Sequence, residues 1–236
     1  MKGGSDIPNI EAVAEEIENM LEEAWNKFCD YYDTKAPRYR DSWRPELDRA
    51  GALESHWICW DENDLTFHIG RFFYDILKEK KESLFSNIEI HFEKKVDPNN
   101  FSGYEFENNL KALEERLINE GIINKLKSGK VNGPKVDIIV TYDNRPYRFL
   151  LCAEAKCFRG GRYERPIEDI NIDRNKLIAI RDLGIAKRIV FILFDDYYYC
   201  NDEDTSSAIE QRLDEIRNED GITVLFHTSE AKLENY

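Results

Sequence analysis

Long apolar runs are missing from this chain of 236 residues, where the longest spans only a few positions. A membrane-crossing helix needs about 20 consecutive apolar residues and a secretory signal about 7–15, so neither is expected. Cysteine is sparse, five in all, and scattered without metal-ligand spacing. An odd count with no export signal points to reduced thiols and a cytoplasmic setting. The four histidines show no paired spacing, which removes a zinc site. Positive charge is in deficit: 33 Lys and Arg against 47 Asp and Glu leave a net charge of -14. Nucleic-acid binders are as a rule basic, so the whole-chain balance weighs against tight nucleic-acid binding by this chain alone. Local patches govern phosphate contact, however, and much of the acid falls in three helical patterns, residues 11–23, 105–120 and 202–220, as solvated faces. Internal repeats and low-complexity linkers are also missing.

What stands out is charge where apolar residues dominate. Asp137 opens the run Ile138-Ile139-Val140, and Glu154-Ala155-Lys156 closes the run Phe149-Leu150-Leu151-Cys152-Ala153. Charged side chains rarely occupy apolar surroundings unless they are paired or bind a metal. The intervening Asp143-Asn144-Arg145-Pro146 is dense in turn formers, so residues 136–142 and 147–156 are predicted to form a β-hairpin. A loop centred on Asn144-Arg145 sets Asp137 opposite Cys152, with Glu154 its diagonal neighbour. Side chains alternate along a strand, so Cys152, Glu154 and Lys156 share one face and Asp137 joins them from across the ladder. A one-residue slip would turn Asp137 to the other face.

Two hard carboxylates suit Mg²⁺ or Mn²⁺, which keep several waters and accept phosphate oxygens as further ligands. Lys156 is placed to orient or help deprotonate an attacking water, or to stabilise charge developing on a phosphate. Most Glu-x-Lys triplets are solvated strand-edge pairs in which the two charges neutralise each other. The upstream Asp137 and the hairpin parity set this one apart.

At these residues, Gly133-Pro134-Lys135-Val136-Asp137 followed by a hairpin and Ala153-Glu154-Ala155-Lys156, the chain resembles the PD-(D/E)xK nucleases. Lys135-Val136 separates Pro134 from the aspartate, so the literal Pro-Asp pair is absent. The resemblance implies that Asp137 and Glu154 bind Mg²⁺ (or Mn²⁺) and that Lys156 acts in catalysis. It also implies an α/β fold: a restriction-endonuclease-like core with a mixed central sheet flanked by helices. Residues 1–55 would then be an N-terminal helical extension and residues 56–236 the nuclease domain. The expected activity is hydrolysis of phosphodiester bonds, as an endonuclease on DNA. A homodimer, or a protein partner that supplies a basic surface, would complete it. The alternatives are a non-catalytic nuclease-like interaction or regulatory module, and a nuclease subunit active only in a complex.

Flanking patterns extend the resemblance to residues 60–227. Asp61-Glu62-Asn63-Asp64, followed by Leu65, Phe67, Ile69, Phe72, Phe73, Ile76 and Leu77, predicts a capped amphipathic helix. Related nucleases often carry a site glutamate on this helix. Glu62 is the best match, with Asp61 and Asp64 as substitutes, although first-turn acids also simply favour the helix dipole. A helix over 167–183 ends at Gly184 and leads into a strand over 188–194, which implies a right-handed crossover and a parallel strand pair. On that helix Asp173 and Lys176 match family positions that reach the site, or are solvated. Between motif and helix lies a basic, glycine-containing loop with Arg159, Arg162 and Arg165, suited to phosphate contact or merely to offsetting nearby acids. The remaining patterns predict an amphipathic helix over 8–32, an irregular basic segment over 35–49, and a strand through Ile88, Ile90 and Phe92. A helix over 104–127, another over 206–218 and a strand over 222–226 complete the set.

Overall fold

A computed structural model describes residues 9–40, 61–80, 87–97, 107–123, 134–142, 149–158, 165–195 and 203–228. The expected domain boundary after residue 55, the hairpin loop 143–148, and Arg159 and Arg162 lie outside the described residues. In chain order the elements are α1 (Ile10–Arg40), α2 (Glu62–Glu79), β1 (Ile88–Lys95), α3 (Glu107–Asn119) and β2 (Lys135–Tyr142). They continue with β3 (Phe149–Phe158), α4 (Pro166–Asp182), β4 (Ala186–Asp195), α5 (Glu203–Asn218) and β5 (Thr223–Thr228). The architecture is α/β: a mixed five-stranded sheet, ordered β1-β2-β3-β4-β5, flanked by helices.

Strand directions follow from the hydrogen bonds. β1 pairs antiparallel with β2 from Ile88–Tyr142 to Lys95–Lys135, and β2 pairs antiparallel with β3. The Phe149 N–H donates to the Ile185 carbonyl at 2.9 Å. That bond joins the start of β3 to the residue preceding β4, so these neighbouring strands begin at the same end and run parallel. The predicted parallel pair on either side of α4 is therefore present.

Two compact units divide the chain: residues 1–21, 76–154 and 175–190 form the first, and residues 22–75, 155–174 and 191–236 the second. In the first, the opening of α1 is capped by Asn9, whose side-chain oxygen accepts the Glu11 and Ala12 amides at 3.2 and 3.4 Å. Its carboxylates Glu11 and Glu18 hold Arg188 of β4, and Glu11 also takes Lys187 at 3.2 Å. The C-terminus of α4 is a Schellman turn: Gly184 donates to Arg181 and Ile185 to Ile180, with Gly184 at φ +62°. Only a residue without Cβ adopts that conformation cheaply. Ile180 and Ile185, the apolar pair that accompanies such a turn, are both fully buried. Asn109 of α3 donates to the Leu183 carbonyl at 2.7 Å, which fixes the same corner from a second element.

The second unit is built on aromatic packing around Phe194. Tyr32, Phe28 and Trp25 of α1 meet its ring edge-on at centroid distances of 4.7, 5.2 and 6.3 Å, and His227 of β5 stacks on it at 5.8 Å. Leu65, Ile69 and Phe73 form the buried stripe of α2 in this unit. Phe67, grouped with these in the sequence pattern, is 66% exposed, because at about 100° per residue it falls on the far side of that stripe. Arg174 of α4 forks onto Asp220, its Nη2 at 2.9 Å, and ties the helix to the segment after α5. One further expectation is corrected. The segment from residue 35 was expected to be irregular, yet α1 runs through Pro37 to Arg40. A proline removes one N–H from the ladder, and near the end of a long, already propagating helix only that bond is forgone.

Candidate active site

The ladder between β2 and β3 pairs Ile138 with Ala153, Ile139 with Cys152 and Val140 with Leu151. One step further along the same ladder, Asp137 stands across from Glu154. The expected register set Asp137 opposite Cys152, so the observed one differs by two residues. β2 ends at Tyr142 and β3 begins at Phe149, so the connection is centred one residue further along than expected. A shift of two keeps the parity, so Asp137, Cys152, Glu154 and Lys156 still share a face. The consequence is a closer pairing: directly opposite residues have Cβ atoms about 4.5–5.5 Å apart, against about 7–8 Å on the diagonal.

β3 continues two residues beyond Lys156, so the triplet lies within the strand rather than at its end. Glu154 is 1% exposed and Asp137 half-buried. Glu154 and Lys156 each take a partner from α4. Lys176 donates to Glu154 Oε2 at 2.7 Å and to the Lys135 carbonyl at 3.0 Å. Asp173, one turn earlier on the helix, meets Lys156 Nζ at 2.9 Å.

Glu62 opens α2 and accepts from Lys156 Nζ at 3.0 Å. Asp61 before it has a capping role. Asp61 is the N-cap, its Oδ1 accepting the Asn63 and Asp64 amides at 2.9 and 3.1 Å.

Burial opposes the charge on Lys156, but the carboxylates of Asp173 and Glu62 more than offset it, so its ammonium is held above the ordinary lysine range. Held this way, Lys156 is a hydrogen-bond donor and a fixed positive charge, not a proton acceptor. Burial also pushes the Cys152 thiol well up, and the Glu154 carboxylate adds to that, so this site-facing cysteine is a neutral thiol.

One participant carries no mark in the sequence. In β1 the pairing runs Phe92–Ile138, then Lys94–Val136, so Glu93 falls across from Asp137. Its φ of +51° is left-handed, a strained state for a residue with a Cβ, and its carboxylate accepts from Lys135 at 3.1 Å. Of the basic loop, Arg165 is described and pairs with Glu168 at 3.1 Å in solvent.

The donor set suits a small hard cation. Among the described residues, no three histidine, cysteine, aspartate or glutamate side chains gather into a closed cage. Mg²⁺ does not need one, because it keeps its waters and is commonly held by one or two carboxylates. Asp137 and Glu154, opposite one another on adjacent strands with a lysine two positions on, fit that description. Among the described residues no helix is long and apolar enough to cross a membrane. Comparison of the chain with family models, with curated proteins and with solved structures gives no match in any of the three.

Proposed function

We propose that this chain is a metal-dependent nuclease with a restriction-endonuclease-like core, acting in the cytoplasm as an endonuclease on DNA. The observation that carries the proposal is the placement of Asp137 directly across the ladder from Glu154, with Lys156 on the same face and clamped by Asp173 and Glu62. Mg²⁺ or Mn²⁺ held by Asp137 and Glu154 would act as a Lewis acid on the phosphate and lower the pKa of a bound water. Lys156 presents its ammonium to the charge that builds on the phosphate oxygens. Asp173 and Glu62 keep that ammonium charged and aimed, so they are positioning residues. Arg159, Arg162 and Arg165 are the candidates to meet the nucleic-acid backbone.

The net charge of -14 favours a particular form of this proposal. Duplex DNA carries one negative charge per about 1.7 Å, and an acidic chain approaches it against repulsion. A homodimer, or a basic protein partner, would supply the missing surface, and the isolated chain would then cut weakly. A non-catalytic interaction module is the competing reading. Incubation of plasmid and single-stranded substrates with Mg²⁺ or Mn²⁺ tests the proposal. Wild type should nick or cut, and Asp137→Ala, Glu154→Ala and Lys156→Ala should each be slower by about a hundredfold or more. No cleavage at high enzyme concentration, together with no Mn²⁺ bound in calorimetry, favours the module.

A further inference from the structure

Lys176 occupies a telling position. Its Nζ bridges the two strands that carry the carboxylates, bonding Glu154 Oε2 on β3 and the Lys135 carbonyl on β2, two residues before Asp137. The lysine side chain is 12% exposed and the glutamate 2%. A carboxylate so enclosed needs a positive charge beside it, since an ionised group away from water is costly unless paired. Lys176 supplies that charge from the helix. A divalent ion shared by Asp137 and Glu154 would claim the same carboxylate.

We propose that Lys176 is an internal stand-in cation, which pairs with Glu154 and ties the two strands in the metal-free protein and is displaced from Glu154 when Mg²⁺ or Mn²⁺ binds. This inference rests on the metal-dependent reading of the site and adds its regulation. Metal affinity is set by a contest between the ion and Lys176, so occupancy of the site responds to anything that draws the lysine away, a substrate phosphate included. An ammonium on a four-carbon stem suits this role, since it swings to solvent or to a phosphate without moving the backbone.

Calorimetry with Mn²⁺ is the test. Lys176→Met should lower the Mn²⁺ dissociation constant by a factor within the coupling range of about 5 to 150, and Lys176→Arg should leave it close to wild type. The Mn²⁺-induced rise in melting temperature should also be larger in Lys176→Met than in wild type, because the ion then replaces a missing charge. Equal or weaker Mn²⁺ binding by Lys176→Met overturns the inference while leaving the metal site intact. No Mn²⁺ bound by wild type or variant overturns the metal reading and the inference together, so the two failures are distinguishable. Folding of Lys176→Met only in the presence of Mn²⁺ is a supporting result. If the variant fails to fold in either condition, the wild-type protein decides. Its Lys176 Nζ resonance, assigned by loss in Lys176→Arg, should shift and its ammonium hydrogens exchange faster on addition of Mg²⁺. An unmoved Nζ resonance with Mg²⁺ bound overturns the inference.

Discussion

Asp137 and Glu154 face one another across the β2–β3 ladder, the first half-buried and the second enclosed. The difference in burial makes their substitutions unequal. Glu154→Ala removes the partner of Lys176 and should cost stability, by about 1–3 kcal/mol once escape of the lysine to solvent is allowed for. Asp137→Asn should cost less than about 1 kcal/mol. Both should abolish Mn²⁺ binding. Chemical denaturation beside calorimetry checks the pair, and a stable Asp137→Asn that still binds Mn²⁺ would remove Asp137 from the site.

Removal of Lys156 leaves Asp173 and Glu62 without the charge that both are seen to contact. Lys156→Met should destabilise the protein at neutral pH by about 3 kcal/mol, a figure set mainly by Asp173, whose side chain is 6% exposed against 29% for Glu62. The deficit relative to wild type should shrink as pH falls into the carboxylate range, because protonated acids no longer need the ammonium. Urea titrations at neutral and acidic pH give the comparison.

The direction of the Lys156 shift also fixes a pH profile. A lysine raised above its unfolded value contributes stability that is full below the ordinary lysine range and lost only as pH rises through the higher folded value. Lys156 therefore stays charged throughout the working range, and nuclease activity should show no loss attributable to it between about pH 7 and pH 10. An alkaline decline in that window, absent in Lys156→Arg, would mean that the ammonium is required but titrates there, and so is not held up by its carboxylates.

Asp173 and Glu62 touch Lys156 to different degrees of enclosure, so they should separate in kinetics. Asp173→Asn should lower kcat about 10- to 100-fold and Glu62→Gln less, with KM little changed in both. A structural role alone would lower the melting temperature without moving kcat.

Glu93 gives a prediction of opposite sign. At φ +51° a glycine relieves strain, so Glu93→Gly should be neutral or stabilising by up to about 1 kcal/mol even though the contact with Lys135 is lost. Thermal unfolding measures this directly, and a loss of Mn²⁺ affinity in the same variant would make Glu93 a member of the site.

Much of the candidate site's arrangement was legible in the chain because its signals are local. Asp61 announces itself as a cap by standing before an apolar helical stripe, and that leaves Glu62 to point elsewhere. Gly184 marks the end of α4 because only glycine takes its backbone angle cheaply. The parity of the hairpin survived although its register did not, since parity depends on which residues are apolar and register on how the loop closes. What was hidden is non-local. Nothing in the chain says that Lys176 meets Glu154 while Asp173 meets Lys156, because that depends on where α4 lies along β3. Nor does any composition rule mark a glutamate with a left-handed backbone, or tell a helix to pass through Pro37.

The two contacts of α4 have a consequence for how the chain tolerates change. Along β3 the charges read minus then plus, and along the helix they read minus at Asp173 then plus at Lys176. Each ion pair holds its own stretch of the helix, Lys176 with Glu154 in the first unit and Asp173 with Lys156 in the second, and turning α4 by a single residue withdraws both side chains. A one-residue insertion between Lys156 and Asp173 is thus permissible only where a loop can swallow it, and never inside α4 ahead of Asp173. If a divalent ion took Lys176's place, the Asp173–Lys156 pair would still hold, so the helix would release one hand without losing its footing.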